Sequence, residues 1–154
     1  MKTLISSEEV VELATNGDYS LRSTSVSEAV ILTAQHKFLR PVLNNLYTAL
    51  EQGHHHDLLE HYLKKPLASY VKYLLLPSVA AHMGASGVVQ ASGGNLAPAN
   101  DKALHRLMQR IRSDADTLLR AAVEHIESHA DDYPEYDPRK NILNRTSIVA
   151  NILI

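Results

Sequence analysis

Cysteine and tryptophan are absent from the 154 residues, and phenylalanine occurs once. Without cysteine there is no disulfide framework and no thiolate chemistry, which fits a reducing compartment. With seven Tyr and one Phe, the chain offers no aromatic platform of the kind that stacks single-stranded nucleic acid. An excess of positive charge is missing too. The net charge is −2 with neutral histidines, so there is no basic signature for nucleic acid. Nine histidines can reverse that sign near about pH 6. No apolar run approaches the ~20 residues of a membrane span. Met1 to Ile5 run straight into Ser6-Ser7-Glu8-Glu9, too short a stretch for a signal-peptide core. We therefore expect a soluble, intracellular protein without a membrane partner.

Motifs for common chemistry are lacking as well. There is no Gly-x-Ser-x-Gly elbow for a nucleophilic serine, and no Gly-Lys-Ser/Thr to make a phosphate loop. Gly84-Ala85-Ser86-Gly87 is glycine-rich, but no strand-to-helix phosphate loop follows it. Asp131, Asp132, Glu135 and Asp137 cluster without the alternation, central glycine and closing glutamate of a calcium loop.

What is present is helical periodicity. Hydrophobic residues make up 45% of the chain, enough for one domain with a real core. Ser6 and Glu9 are spaced as a capping box, and Val10, Val11, Leu13 and Ala14 follow as an apolar face before Asn16-Gly17-Asp18. Ser25-Val26-Ser27-Glu28 repeats the capping pattern, opening a helix that Pro41 should kink or divide. Gly53 closes the segment that follows, and Asp57 is placed to cap the turn from Leu58 to Leu63. Pro66 suits the first turn of a longer helix from Leu67 to about Met83, apolar on several sides and so expected at the centre. Residues 84–99 hold four glycines and a proline, which excludes a helix there. After Asn100-Asp101 a helix of about thirty residues keeps Leu104, Leu107, Met108, Ile111, Ala115, Leu118, Leu119, Ala122 and Ile126 on one face. Asp131-Asp132-Tyr133-Pro134 ends it. The expected fold is all-α: an irregular helical bundle with a long C-terminal helix and a Gly-rich loop or short hairpin insertion. Residues 1–138 form the body, and 139–154 a C-terminal tail carrying Ile148, Val149, Ile152, Leu153 and Ile154.

The stretch GHHHDLLEH, residues 53–61, raises the question of a metal. A helical zinc protease places histidines at i and i+4 with a glutamate between them. Here His56 pairs at that spacing with Glu60, and Asp57 with His61, so neither pair holds two histidines. The plain reading is an exposed turn between helices. His125 and His129 are four apart, with Glu124 and Glu127 beside them. Histidines at a helix C-terminus are favoured by the dipole without any metal. His36 and His82 sit among apolar neighbours, where a backbone group would satisfy them. We assign no catalytic residue, no cofactor and no metal ligand.

Four pieces keep their order along the chain: Leu4-Ile5-Ser6-Ser7-Glu8-Glu9-Val10; Ala34-Gln35-His36-Lys37-Phe38-Leu39-Arg40-Pro41-Val42-Leu43; Asp57-Leu58-Leu59-Glu60 with Tyr62-Leu63-Lys64-Lys65-Pro66-Leu67-Ala68; and Tyr133-Pro134-Glu135-Tyr136. In that order and spacing the sequence resembles a family of small helical phage and prophage proteins related to head–tail connectors or adaptors. The resemblance implies a non-enzymatic virion-assembly protein. Its partners would be copies of itself in a ring and neighbouring portal or tail proteins, with DNA passing transiently through the channel. Its place would be the host cytoplasm and then the virion. Arg106, Arg110, Arg112, Arg139, Lys140 and Arg145 could face phosphates in such a ring, or be ordinary surface charges. The tail could add a strand to an adjacent subunit. Two other readings stand beside this one: a helical metal-binding protein using His54–His56 with His61 or the His125/His129 pair, and a helical interaction module unrelated to virions.

Overall fold

The computed structural model describes residues 2–15, 26–85 and 101–144, and it is all-α, with no strand among these residues. Residues 86–99 of the Gly-rich insertion, the expected loop at 18–25, Asn100 and residues 145–154 of the tail lie outside the described residues, whereas Gly84 and Ala85, where no helix was expected, continue the helix before them.

Helix α1 (Ser7–Thr15) starts on the expected capping box. The Ser6 amide donates to Glu9 Oε2 at 2.8 Å, and the Glu9 amide donates to Ser6 Oγ at 3.2 Å. The second capping pattern is not realised in the same way. Helix α2 (Glu28–Ala34) has Ser27 at its N-cap with no side-chain cap bond.

From α2 the chain runs on as a π-helix over Gln35–Leu39 and then as α3 (Arg40–Leu43), with Pro41 in its first turn. The same device recurs. Helix α5 (His56–Leu58) leads into a π-helix over Leu59–Leu63 and then α6 (Lys64–Ala85), with Pro66 three residues past the π-turn. A proline has no N–H to donate to the carbonyl four residues back, and its ring crowds that carbonyl. A wider turn just before it absorbs the missing bond. Pro41 does not divide its helix as expected: residues 28–43 run on through the π-turn, and the break comes at Asn44. Pro66 stays inside a run that begins at His56. Pro77 also lies within α6, which extends to Ala85.

Between these runs sits α4 (Asn45–Glu51). Asn44 has a positive φ of 47° and is fastened to the far end of the chain. Its Oδ1 accepts from the Asp137 amide, and its Nδ2 donates to the Asp137 carbonyl, both at 3.1 Å.

Helix α6 is the central element, as its apolar circumference demands. Leu67, Ala68, Tyr70 and Val71 are buried on it, packed against α1, α2 and α7 (Asp101–Ser128). Ala115, Leu119, Ala122 and Ile126 of α7 complete the core. Phe38 stacks on Tyr70 at 4.1 Å between ring centroids, and the Arg112 guanidinium lies 5.2 Å from the Phe38 centroid. Residues 139–144 of the expected tail pack on the body, with Asn141 buried and Leu143 against the core.

Two lysines of α6 hold α1. Lys64 is mostly buried and pairs with both Glu9 and Glu60, and Lys72 donates to the Ala14 carbonyl at 3.0 Å. The hydrogen bond from Lys64 lowers the Glu9 pKa more than burial raises it. Burial works against the Lys64 cation, but Glu60 and Glu9 outweigh it and raise its pKa. A carboxylate held low in the folded state stabilises above its ordinary range and loses that contribution as pH falls through the lowered value. We therefore expect the seat of α1 to loosen on acidification, below the ordinary range of a glutamate. Amide hydrogen exchange at Val10 should quicken there before the global transition. Lys64→Met should show the same fast exchange already at neutral pH. Unchanged protection at Val10 in that variant would refute the lysine's role.

Candidate functional site

The two histidine groups singled out in the sequence lie at one end of the molecule, and tyrosines join them. Gly53, at φ 91°, turns the chain out of α4, a conformation that carries no steric cost without a Cβ. His55 follows in the left-handed region and occupies the N-cap of α5. Asp57, the expected cap, instead lies in the first turn, where a negative charge meets the positive end of the helix dipole.

His55 Nε2 lies 3.1 Å from Glu135 Oε2, and its ring rests against Tyr133 at 5.2 Å. The Tyr133 hydroxyl is 3.4 Å from His125 Nε2. His125 stacks on Tyr62 at 4.1 Å and touches His129 at 4.4 Å. His129 Nδ1 lies 2.9 Å from the His125 carbonyl. A carbonyl only accepts, so this nitrogen carries the proton. Burial, and then nearby acidic groups, raise the pKa of Tyr133. His56 faces Glu60 at 3.7 Å.

These rings pack by their faces and edges. Among the described residues no group of three His, Asp or Glu side chains converges to hold a metal ion. The expectation for His36 is corrected. Its Nδ1 faces Arg40 at 3.3 Å and its ring lies edge-on to Tyr47, while its Nε2 is buried without a protein partner. No backbone carbonyl satisfies that nitrogen.

The acidic cluster divides among roles. Glu135 faces His55, and Asp137 accepts from the Arg139 amide at 3.0 Å, which holds its pKa low. Asp131 and Asp132 are exposed in a 3₁₀ turn over Ala130–Asp132. The cations proposed to face phosphates are not brought together. Arg106 and Arg110 are exposed on the first half of α7, whereas Arg139 and Lys140 lie beyond its far end. Arg112 is engaged by Asp116, Phe38 and Tyr73, and Arg145 lies outside the described residues.

The first half of α7 is the least buried part of the helix. Leu107 is 45% exposed, and Leu104, Met108 and Ile111 are half-buried, although they continue the stripe in which Ala115, Leu119, Ala122 and Ile126 are buried. Two other large apolar side chains are well exposed, Tyr62 at 38% and Ile142 at 51%. Both lie near the histidine-rich end, Tyr62 through His125 and Ile142 beside Asn144, which donates to Glu127.

Residues 19–146 match the model of a family described as a family of unknown function (DUF6712). The chain belongs to that family. The matched span covers α2 through the last packed residues, and so both the histidine-rich end and the exposed half of α7. Helix α1 precedes it. No curated protein and no solved structure matches the chain.

The sequence reading passed over Tyr62 and Tyr133 as joints between histidines, and Gln35 as a core residue. A signal existed for Gln35: it lies four residues after Ile31 and three before Phe38, in the apolar register. Tyr133 had none, because it meets His55 across about half of the chain.

Proposed function

We propose that this chain is a non-enzymatic structural protein of the head–tail connector or adaptor type, joining portal to tail in a phage or prophage particle. The observation that carries the reading is the ordered set of segments from Leu4 to Tyr136, which spans nearly the full length. An all-helical body with exposed apolar side chains at both ends of its longest helix is in keeping with it. Such a protein works by what it touches, and its exposed patches are where partners would sit.

The test is quantitative proteomics of particles purified from a host that expresses the gene. The protein should co-purify with the portal in fixed ratio. Its absence from particles would overturn the reading. The metal-binding alternative would use His54–His56 with His61 or the His125/His129 pair, although among the described residues no three such side chains converge on an ion. Native mass spectrometry of untagged protein, with and without chelator, addresses it directly. One zinc ion per chain retained through chelation would favour that alternative.

A further inference from the structure

The charges on α7 are segregated along its length. Between Asp101 and Asp114 there are four basic residues, Lys102, Arg106, Arg110 and Arg112, of which Arg112 pairs with Asp116. From Ala121 to Pro138 there are six acidic residues, Glu124, Glu127, Asp131, Asp132, Glu135 and Asp137, and no lysine or arginine. Beyond Asp101 at its start, this order runs against the helix macrodipole, which favours acids at the N-terminus and bases at the C-terminus. Helix stability therefore does not explain it.

Nor can the two ends neutralise each other within one molecule. Arg106 and Asp131 are 25 residues apart, roughly 35 Å along a helix at 1.5 Å per residue. That is several times the ~8 Å over which physiological salt screens a surface charge. Each end also exposes apolar surface: Leu107 among the cations, and Tyr62 and Ile142 near the acids. An apolar centre with a complementary charged rim is the make-up of a protein interface.

We propose that the basic first half of α7 in one copy docks on the acidic, histidine-rich end of a second copy. The occupant is a second copy because the same chain carries the matching charge, at a distance it cannot fold across. The contact is heterologous, joining two different patches, so it repeats from copy to copy and yields a ring when the rotation closes. The inference deepens the assembly reading and rests on it for its biological setting.

The test uses full-length protein in sedimentation velocity, over a wide concentration range and at low and high salt. Wild type should assemble at low salt and dissociate at high salt. Arg106→Glu with Arg110→Glu should weaken association at least about tenfold, as a like-charge contact costs several kcal/mol. Asp131→Lys with Asp132→Lys should do the same. All four side chains are exposed, so circular dichroism should show the fold retained. Mixing the two double variants should restore assembly, because the reversed arm of one now fits the reversed end of the other. Combining all four changes in one chain should restore it too. A wild type that stays monomeric at low salt, variants that assemble like wild type, or a mixture that stays dissociated would each overturn the proposal. A protein monomeric here yet present in purified particles would sink this docking mode and leave the connector reading standing.

Discussion

Gln35→Ala should cost roughly 3–4 kcal/mol of folding stability, more than its small size and polar character suggest. Gln35 is fully buried at the start of the first π-turn. Its Oε1 accepts from the Leu4 amide at 2.8 Å. Its Nε2 donates to the Tyr47 hydroxyl at 2.9 Å and the Lys2 carbonyl at 3.2 Å. One side chain thus ties the residues that precede α1 to α2 and α4. Truncation leaves a cavity and an orphaned buried amide at Leu4, and an unpaired buried donor costs about 1–3 kcal/mol by itself.

Two further variants separate these terms. Gln35→Met fills the volume but cannot accept, so it should lose less than alanine and still fall clearly below wild type. Gln35→Glu can still accept from Leu4. When protonated it can also donate to Tyr47, so it should be most stable in acid. Burial raises such a carboxyl's folded pKa, so stability should fall as pH rises from the unfolded value to the folded one. Urea unfolding of the three variants between about pH 4 and pH 8 reads both effects, on either side of an ordinary carboxyl pKa. If alanine is tolerated within about 1 kcal/mol, the network does not hold the N-terminus.

What could be read from the sequence depended on how far apart the cooperating residues lie. The Ser6–Glu9 capping box, the Gly53 turn and the apolar stripe of α7 are local, set by spacings of three or four, and each formed as expected. Pro41 announced an irregularity in its helix but not its form. A π-turn depends on where the freed carbonyl finds room, and that is set by packing. The cap expected at Asp57 lies two positions earlier, because Gly53 and the left-handed His55 start the helix at His56. Beyond that range the sequence was silent. His55 meets Glu135 across 80 residues, and Asn44 meets Asp137 across 93. No spacing rule could have drawn the two histidine groups to one end, or shown that tyrosines would occupy their faces. Charge segregation on α7 was visible as composition, but its meaning needed the exposure of Leu107.

Tyr70→Ala should be as damaging as any single change, at roughly 3–5 kcal/mol for truncating a buried aromatic. Tyr70 is 1% exposed in the first half of α6, where it meets Phe38 and α7. Its ring lies flat on Phe38 from the first π-turn, with planes only 8° apart. Its hydroxyl donates to Asp116 Oδ1 of α7 at 2.6 Å. Burial and then the adjacent carboxylate push the phenol far above its ordinary pKa, so it remains a donor at any working pH. Tyr70→Phe isolates the hydroxyl. It keeps the stack and should lose about 1–3 kcal/mol, the range for a hydrogen bond to a charged group. The gap between the two variants then measures packing alone. Asp116→Asn probes the other partner, and since an amide oxygen still accepts, it should cost less than Tyr70→Phe. These effects should also be felt in assembly, because Tyr70 fixes the part of α7 from which its exposed half extends. Tyr70→Phe should fold, yet show faster amide exchange along residues 104–112 than wild type. Equal exchange there would mean that α7 is positioned by its buried leucines and alanines alone.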